Sequence, residues 1–169
     1  MESFTKGVKA PTEQYDGSKL RVLIVKTRWN SEIVDSLVEG AINSLTSYKV
    51  ERSNIHIEDV AGSYELPFAI QTILCNRVYN KFDVAIAIGV LIKGDTMHFE
   101  YIAEAVSHGL MRVGLDTSTP VVFGVLTCLS ETQALQRAGI GENSHNHGND
   151  WGQCAVEMGM KRERWSKGV

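Results

Sequence analysis

The sequence predicts an α/β fold built on a parallel sheet, and three observations carry that prediction. Four short runs of branched apolar residues occur along the chain, around 20–25, 55–60, 84–88 and 121–126. Each is followed by a stretch whose apolar residues recur at helical spacing. Glycine, proline and capping residues fall at the junctions. A repeated strand-then-helix order implies parallel strands joined by right-handed crossovers, with helices on both faces.

The first strand is the run Leu20-Arg21-Val22-Leu23-Ile24-Val25. A helix follows Thr27-Arg28-Trp29-Asn30 and reaches about Tyr48, with Ile33, Val34, Leu37, Val38, Ala41, Ile42 and Leu45 on one face. Asn30 or Ser31 would cap it, with Glu32 and Asp35 near its positive end. Ile55, Ile57 and Val60 alternate with polar residues, which suits a strand nearer a sheet edge. After the turn at Gly62-Ser63-Tyr64-Glu65-Leu66, Pro67 belongs in the first turn of a helix running to about Tyr79, with Phe68, Ile70, Ile73, Leu74 and Val78 apolar. Val84-Ala85-Ile86-Ala87-Ile88 reads as a buried strand, and Phe99, Ile102, Ala103, Val106 and Leu110 mark the face of the next helix. Pro120 opens the fourth strand, residues 121–126. A short helix over 131–138 holds Arg137 and ends at Gly139 and Gly141. A polar loop over 142–150 then precedes a last helix with Trp151, Ala155, Val156 and Met160 apolar.

At 169 residues the chain can bury one proper core, and we read residues 1–14 as a flexible arm and 15–169 as a single domain. A net charge of −3 and no basic run with aromatics give no general attraction to nucleic acid. Apolar segments are too short to cross a bilayer. Cys75, Cys128 and Cys154 form no metal-like pair, and an odd count without a signal peptide suits free thiols in the cytoplasm.

Open parallel sheets bind ligands beyond the carboxyl ends of their strands. The unusual segments fall there: Arg28-Trp29-Asn30, Gly62-Ser63-Tyr64-Glu65, Gly94-Asp95-Thr96-Met97-His98 and Thr127. Gly94 to Thr96 is a hydroxyl-bearing turn at a helix start, which suits an anion. His98 follows at the helix's positive end, where a neutral imidazole able to act as a general base is favoured. Taken singly, Trp29 is explained by packing and Glu65 by capping. Arg137 ends a short helix, where a cation is favoured anyway, and its guanidinium also forks a phosphate. His145 and His147 lack a third ligand at a familiar spacing, so no metal is expected. Cys128 has no clear partner base and is not a candidate nucleophile. The first strand leads into Arg-Trp-Asn, not the Ser/Thr/Gly-rich loop of an FMN carrier.

Together these residues resemble the lumazine synthase family over most of the span from Tyr15 to about Lys161. The blocks that carry the resemblance are Arg28-Trp29-Asn30, Gly62-Ser63-Tyr64-Glu65-Leu66-Pro67, the stretch from Gly89 to Tyr101, Gln133-Ala134-Leu135 with Arg137-Ala138-Gly139, and Asn146-His147-Gly148-Asn149-Asp150-Trp151-Gly152. Trp29 and the last block look like the fungal branch. The resemblance implies a flavodoxin-like three-layer sandwich with a four-stranded parallel sheet and helices on both faces. It also implies a homopentamer with active sites between subunits, two small-molecule substrates and no cofactor or metal. By the same resemblance Trp29 stacks on a pyrimidine beside Asn30, and Ser63, Tyr64 and Glu65 line a ribityl chain. Val90, Leu91 and Ile92 offer backbone hydrogen bonds, and Phe123 closes the pocket of the adjacent subunit. Gly94, Asp95, Thr96 and Arg137 hold a phosphate, and His98 moves the protons. Asp95 stands where relatives commonly carry Ala or Ser, so its amide is the implied contributor. Many bacterial members place a lysine near the position of His147.

Overall fold

The apolar runs form one sheet, with bounds shifted from those the sequence predicts. The computed structural model describes residues 13–76, 78 and 81–168. Residues 1–12 of the predicted arm, and Tyr79 at the predicted end of the second helix, lie outside them. The strands are β1 (Val22–Thr27), β2 (Ile55–Val60), β3 (Val84–Ile92) and β4 (Val121–Cys128). All pair in parallel, in the order β2-β1-β3-β4. β2 is an edge strand, as its alternating pattern implies.

Helices α1 (Ser31–Ser47), α4 (Glu131–Arg137) and α5 (His147–Ser166) cover one face; α2 (Leu66–Cys75) and α3 (His98–Thr117) cover the other. Alternation along each strand feeds both layers. Val22, Ile24, Ile86 and Ile88 pack with Leu37, Ala41 and Val156, while Leu23, Val25, Ala85 and Ala87 pack with Leu66, Ile70, Val106 and Leu110. The result is the three-layer α/β sandwich of flavodoxin-like topology.

Two helix boundaries differ from the predicted ones. α2 ends at Cys75 because Asn76 is extended and its side chain accepts from the Val78 amide at 2.9 Å. Val78 is therefore exposed, and Phe68, on the outer side of α2, is exposed too. α5 starts at His147, inside the predicted polar loop. Asn146 supplies the missing start signal, its Oδ1 accepting from the Gly148 amide at 2.8 Å while its Nδ2 donates to the Ser36 carbonyl. The polar residues 145–150 hide that cap from a periodicity reading.

Among the described residues no helix is long and apolar enough to cross a membrane. Burial of Cys128 pushes its thiol pKa up, which suits a packing role over a nucleophile.

Candidate active site

Strand lengths create the hollow. β1 pairs with β3 only as far as Lys26 opposite Ile88, whereas β4 follows β3 to Ile92 opposite Cys128. From Gly89 to Ile92, β3 thus has a paired partner on one side only. Its backbone groups facing the β1 side open onto the space beyond β1. This is the switch point of the topology, where the chain leaves β1 and β3 in opposite directions. A hollow of about 620 Å³ lies there, within the range that takes a small organic ligand.

Three connections form its walls. After β1, Asn30 adopts a left-handed conformation (φ 55°) that turns the chain into α1, and it does not cap the helix through its side chain. Trp29 is left 73% exposed at the rim. The packing explanation for this indole therefore fails: it contributes a flat face to the hollow instead. After β2, Ser63–Glu65 make one 3₁₀ turn. The Gly62 amide donates to Glu65 Oε2 at 2.8 Å, so Glu65 does cap its turn, yet its carboxylate still lines the hollow. Ser63 is buried against β3, and only a glycine at 89 admits it: a Cβ there would lie 2.7 Å from Ser63 Oγ.

After β3, the Lys93 amide is tied to the Cys128 carbonyl at 2.9 Å, and its ammonium pairs with Glu100 in the first turn of α3. That pairing holds the Glu100 carboxyl below its usual range. The Gly94–Met97 loop is thereby fastened at both ends. Thr96 Oγ1 lies 3.4 Å from the His98 amide, a weak cap at the start of α3. Gly94, Thr96 and His98 all line the hollow.

The hollow gathers Trp29, Asn30, Ser63, Tyr64, Glu65, Val90, Leu91, Ile92, Gly94, Thr96 and His98. Of the strand-end and substrate-contact residues singled out from sequence, Arg28, Asp95, Met97, Phe123, Thr127 and Arg137 are not in its lining. Asp95 is exposed, with its carboxylate outside the hollow. Phe123 lies along the free edge of β4, in a separate apolar groove of about 720 Å³ with Met111, Leu115 and Trp165. Arg137, exposed at the end of α4, lies close enough to His147 to act on it electrostatically. Phe99 and Ile102, which the helical pattern assigns to the core face of α3, both line the hollow; Ile102 also packs against the core as that pattern implies, whereas Phe99 does not. Adjacency to His98 is the one sequence signal that could have placed Phe99 there.

Near Arg137, His145 Nε2 and His147 Nδ1 both approach Asp150 Oδ2, at 2.8 and 3.3 Å. Burial pushes the His147 pKa down; Asp150 opposes that shift, while His145 and Arg137 add to it.

The chain matches the model of the family described as 6,7-dimethyl-8-ribityllumazine synthase over residues 19–163. A protein of that name from Schizosaccharomyces pombe is 54% identical over 92% of this chain and 96% of its own length. One from Pyricularia oryzae is 47% identical over 95% of this chain and 97% of its own. A bacterial relative of the same name, from Cutibacterium acnes, is 36% identical over 90% of this chain and 88% of its own. With the strand-end hollow and its lining in place, these similarities show that the chain belongs to the 6,7-dimethyl-8-ribityllumazine synthase family.

Proposed function

We propose that this protein condenses 5-amino-6-(D-ribitylamino)uracil with 3,4-dihydroxy-2-butanone 4-phosphate to 6,7-dimethyl-8-ribityllumazine in riboflavin biosynthesis. The observation that carries this reading is the open β1-side edge of Gly89 to Ile92, overhung by Trp29 and bordered by Thr96 and His98. An unpaired strand edge offers alternating donors and acceptors in one plane, which matches the edge of a pyrimidinedione. Trp29 stacks on the ring, with Asn30 beside it. Ser63, Tyr64 and Glu65 face the ribityl hydroxyls, Glu65 through the acceptor capacity that its capping bond leaves over.

The phosphate of the second substrate sits at Gly94 to Thr96, held by amides, the Thr96 hydroxyl and the positive start of α3. Asp95 contributes its amide. In the reaction the uracil's amine adds to the ketone, and loss of water gives an imine. Proton removal then expels phosphate, and attack of the ribityl-bearing nitrogen on the resulting carbonyl, with loss of a second water, closes the ring. Each stage moves a proton, and His98 is placed to take and return it. Alignment of two reactants in one hollow supplies much of the remaining acceleration. These steps need neither a metal nor an organic cofactor, and we read the enzyme as cytoplasmic.

Phe123 and Arg137 join the site from a neighbouring subunit in a ring of five. Their absence from the lining of the hollow within one chain supports that reading, as does the apolar groove beside β4, where Met111 and Leu115 of α3, Phe123 and Trp165 of α5 are exposed. Two different surfaces meeting head to tail close into a ring when the rotation between neighbours divides the circle evenly.

Mixing the two substrates with purified protein tests the activity: fluorescent lumazine should appear, and no product would refute it. Subunit mixing tests the shared site. His98→Ala and Arg137→Ala, each nearly inactive alone, should recover about a quarter of wild-type turnover when dissociated and reassembled in equal amounts, because random neighbours rebuild intact sites. Absence of recovery, with mixed rings verified, would place the whole site within one chain.

A further inference from the structure

We propose that His145, His147 and Asp150, beside Arg137 and outside the lining of the hollow of their own chain, form a binding site for a divalent transition metal such as Zn²⁺. Their three ligand atoms, two imidazole nitrogens and one carboxylate oxygen, lie within 4.8 Å of one another. The nitrogen-to-oxygen separations are 2.8 and 3.3 Å. Bonds of about 2.0–2.2 Å at a tetrahedral zinc hold neighbouring ligands about 3.4 Å apart. A metal ion therefore enters with small side-chain shifts.

The scaffold beneath the three groups is fixed. His147 and Asp150 stand three residues apart in the first turn of α5, on one face. His145 precedes the helix, but its amide donates to the Gln136 carbonyl at 2.9 Å, and the adjacent Asn146 pairs antiparallel with Ala138. The two rings meet edge to face with centroids 5.1 Å apart. All three side chains keep solvent access, at 58%, 36% and 28%, which leaves room for water at a fourth position.

Charge decides which ion fits. Two histidines beside Arg137 could hold an anion, but Asp150 Oδ2 occupies the point where the rings converge and would repel it. A cation replaces the two ring-to-carboxylate contacts with bonds to the same three groups. Two imidazoles and one carboxylate favour Zn²⁺ over Mg²⁺ or Ca²⁺, which prefer all-oxygen shells. The Arg137 charge nearby opposes a bound cation and weakens its binding.

The test is calorimetric titration of Zn²⁺ into the assembled, chelator-treated protein. Cys75→Ser and Cys154→Ser form the background, so that exposed thiols do not compete. One Zn²⁺ per chain should bind, and His145→Ala, His147→Ala and Asp150→Asn should each weaken binding at least about tenfold. His145 lies outside every helix, so its variant stays informative even if His147→Ala loosens the start of α5. Co²⁺ should show visible absorption bands that His145→Ala abolishes. No binding, or binding unchanged in all three variants, would overturn the proposal. So would variants that lower Tm in a protein that takes up no metal, since the trio would then be a hydrogen-bonded cap.

Discussion

His98→Ala should slow lumazine formation roughly a hundredfold while leaving substrate affinity and assembly nearly unchanged. The position of this histidine makes the prediction sharp. Among the described residues its ring has no hydrogen-bonded or ionic partner, unlike His56 with Glu58 or His145 and His147 with Asp150. It is exposed at the first position of α3 and lines the hollow. Removing it breaks no bond within the fold, so a fall in kcat reports chemistry and not collapse. A hundredfold loss corresponds to about 2.7 kcal/mol at the transition state, a usual magnitude for one proton-transferring group. His98→Gln should be as slow as His98→Ala, because an amide keeps the polarity without carrying the proton. Steady-state kcat and KM for both substrates measure the effect. Turnover equal to wild type in either variant would remove His98 from the mechanism.

The sheet and most of the site were legible because both rest on local pattern. Continuous apolar runs mark strands buried on both faces, and β1, β2 and β3 are each followed at once by a segment that lines the hollow. What escaped was information that no short window holds. The exposure of Trp29 depends on where β1 stops relative to β3, which the run of apolar residues leaves open by two to four positions. The start of α5 depends on an Asn146 side chain that reaches across to α1. Phe99 looks like a core residue by spacing, yet the hollow opens beneath the first turn of α3. Asp150 as partner to both histidines required that the polar loop be a helix. The resemblance itself assigns Phe123 to the pocket of an adjacent subunit; that Arg137 also falls outside the hollow of its own chain is a fact of three dimensions.

Gly148→Ala should destabilise the protein by about 3 kcal/mol, a large loss for the addition of one methyl group. By propensity alone the change should help, since alanine is favoured over glycine in a helix by about 1 kcal/mol. Packing reverses the sign. α5 crosses α1 with backbone against backbone: a Cβ at 148 would lie 2.0 Å from the Leu37 carbonyl oxygen and 2.9 Å from the Ala41 nitrogen. One turn further on, a Cβ at Gly152 would lie 2.6 Å from the Ala41 carbonyl oxygen. Backbone cannot rotate away as a side chain can, so the two helices must part or α5 must unwind its first turn. Parting them would open the layer that packs Leu37, Ala41 and Val156 on β1 and β3. Gly159→Ala is the graded comparison. Its added methyl meets only the Leu20 side chain at 3.1–3.3 Å and Val84 Cγ1 at 3.6 Å, and flexible side chains can yield. It should cost under about 1 kcal/mol. Urea unfolding midpoints of the two variants, read at equal protein concentration, make the comparison. Equal stability in both would mean that the helices do not approach as closely as this packing requires.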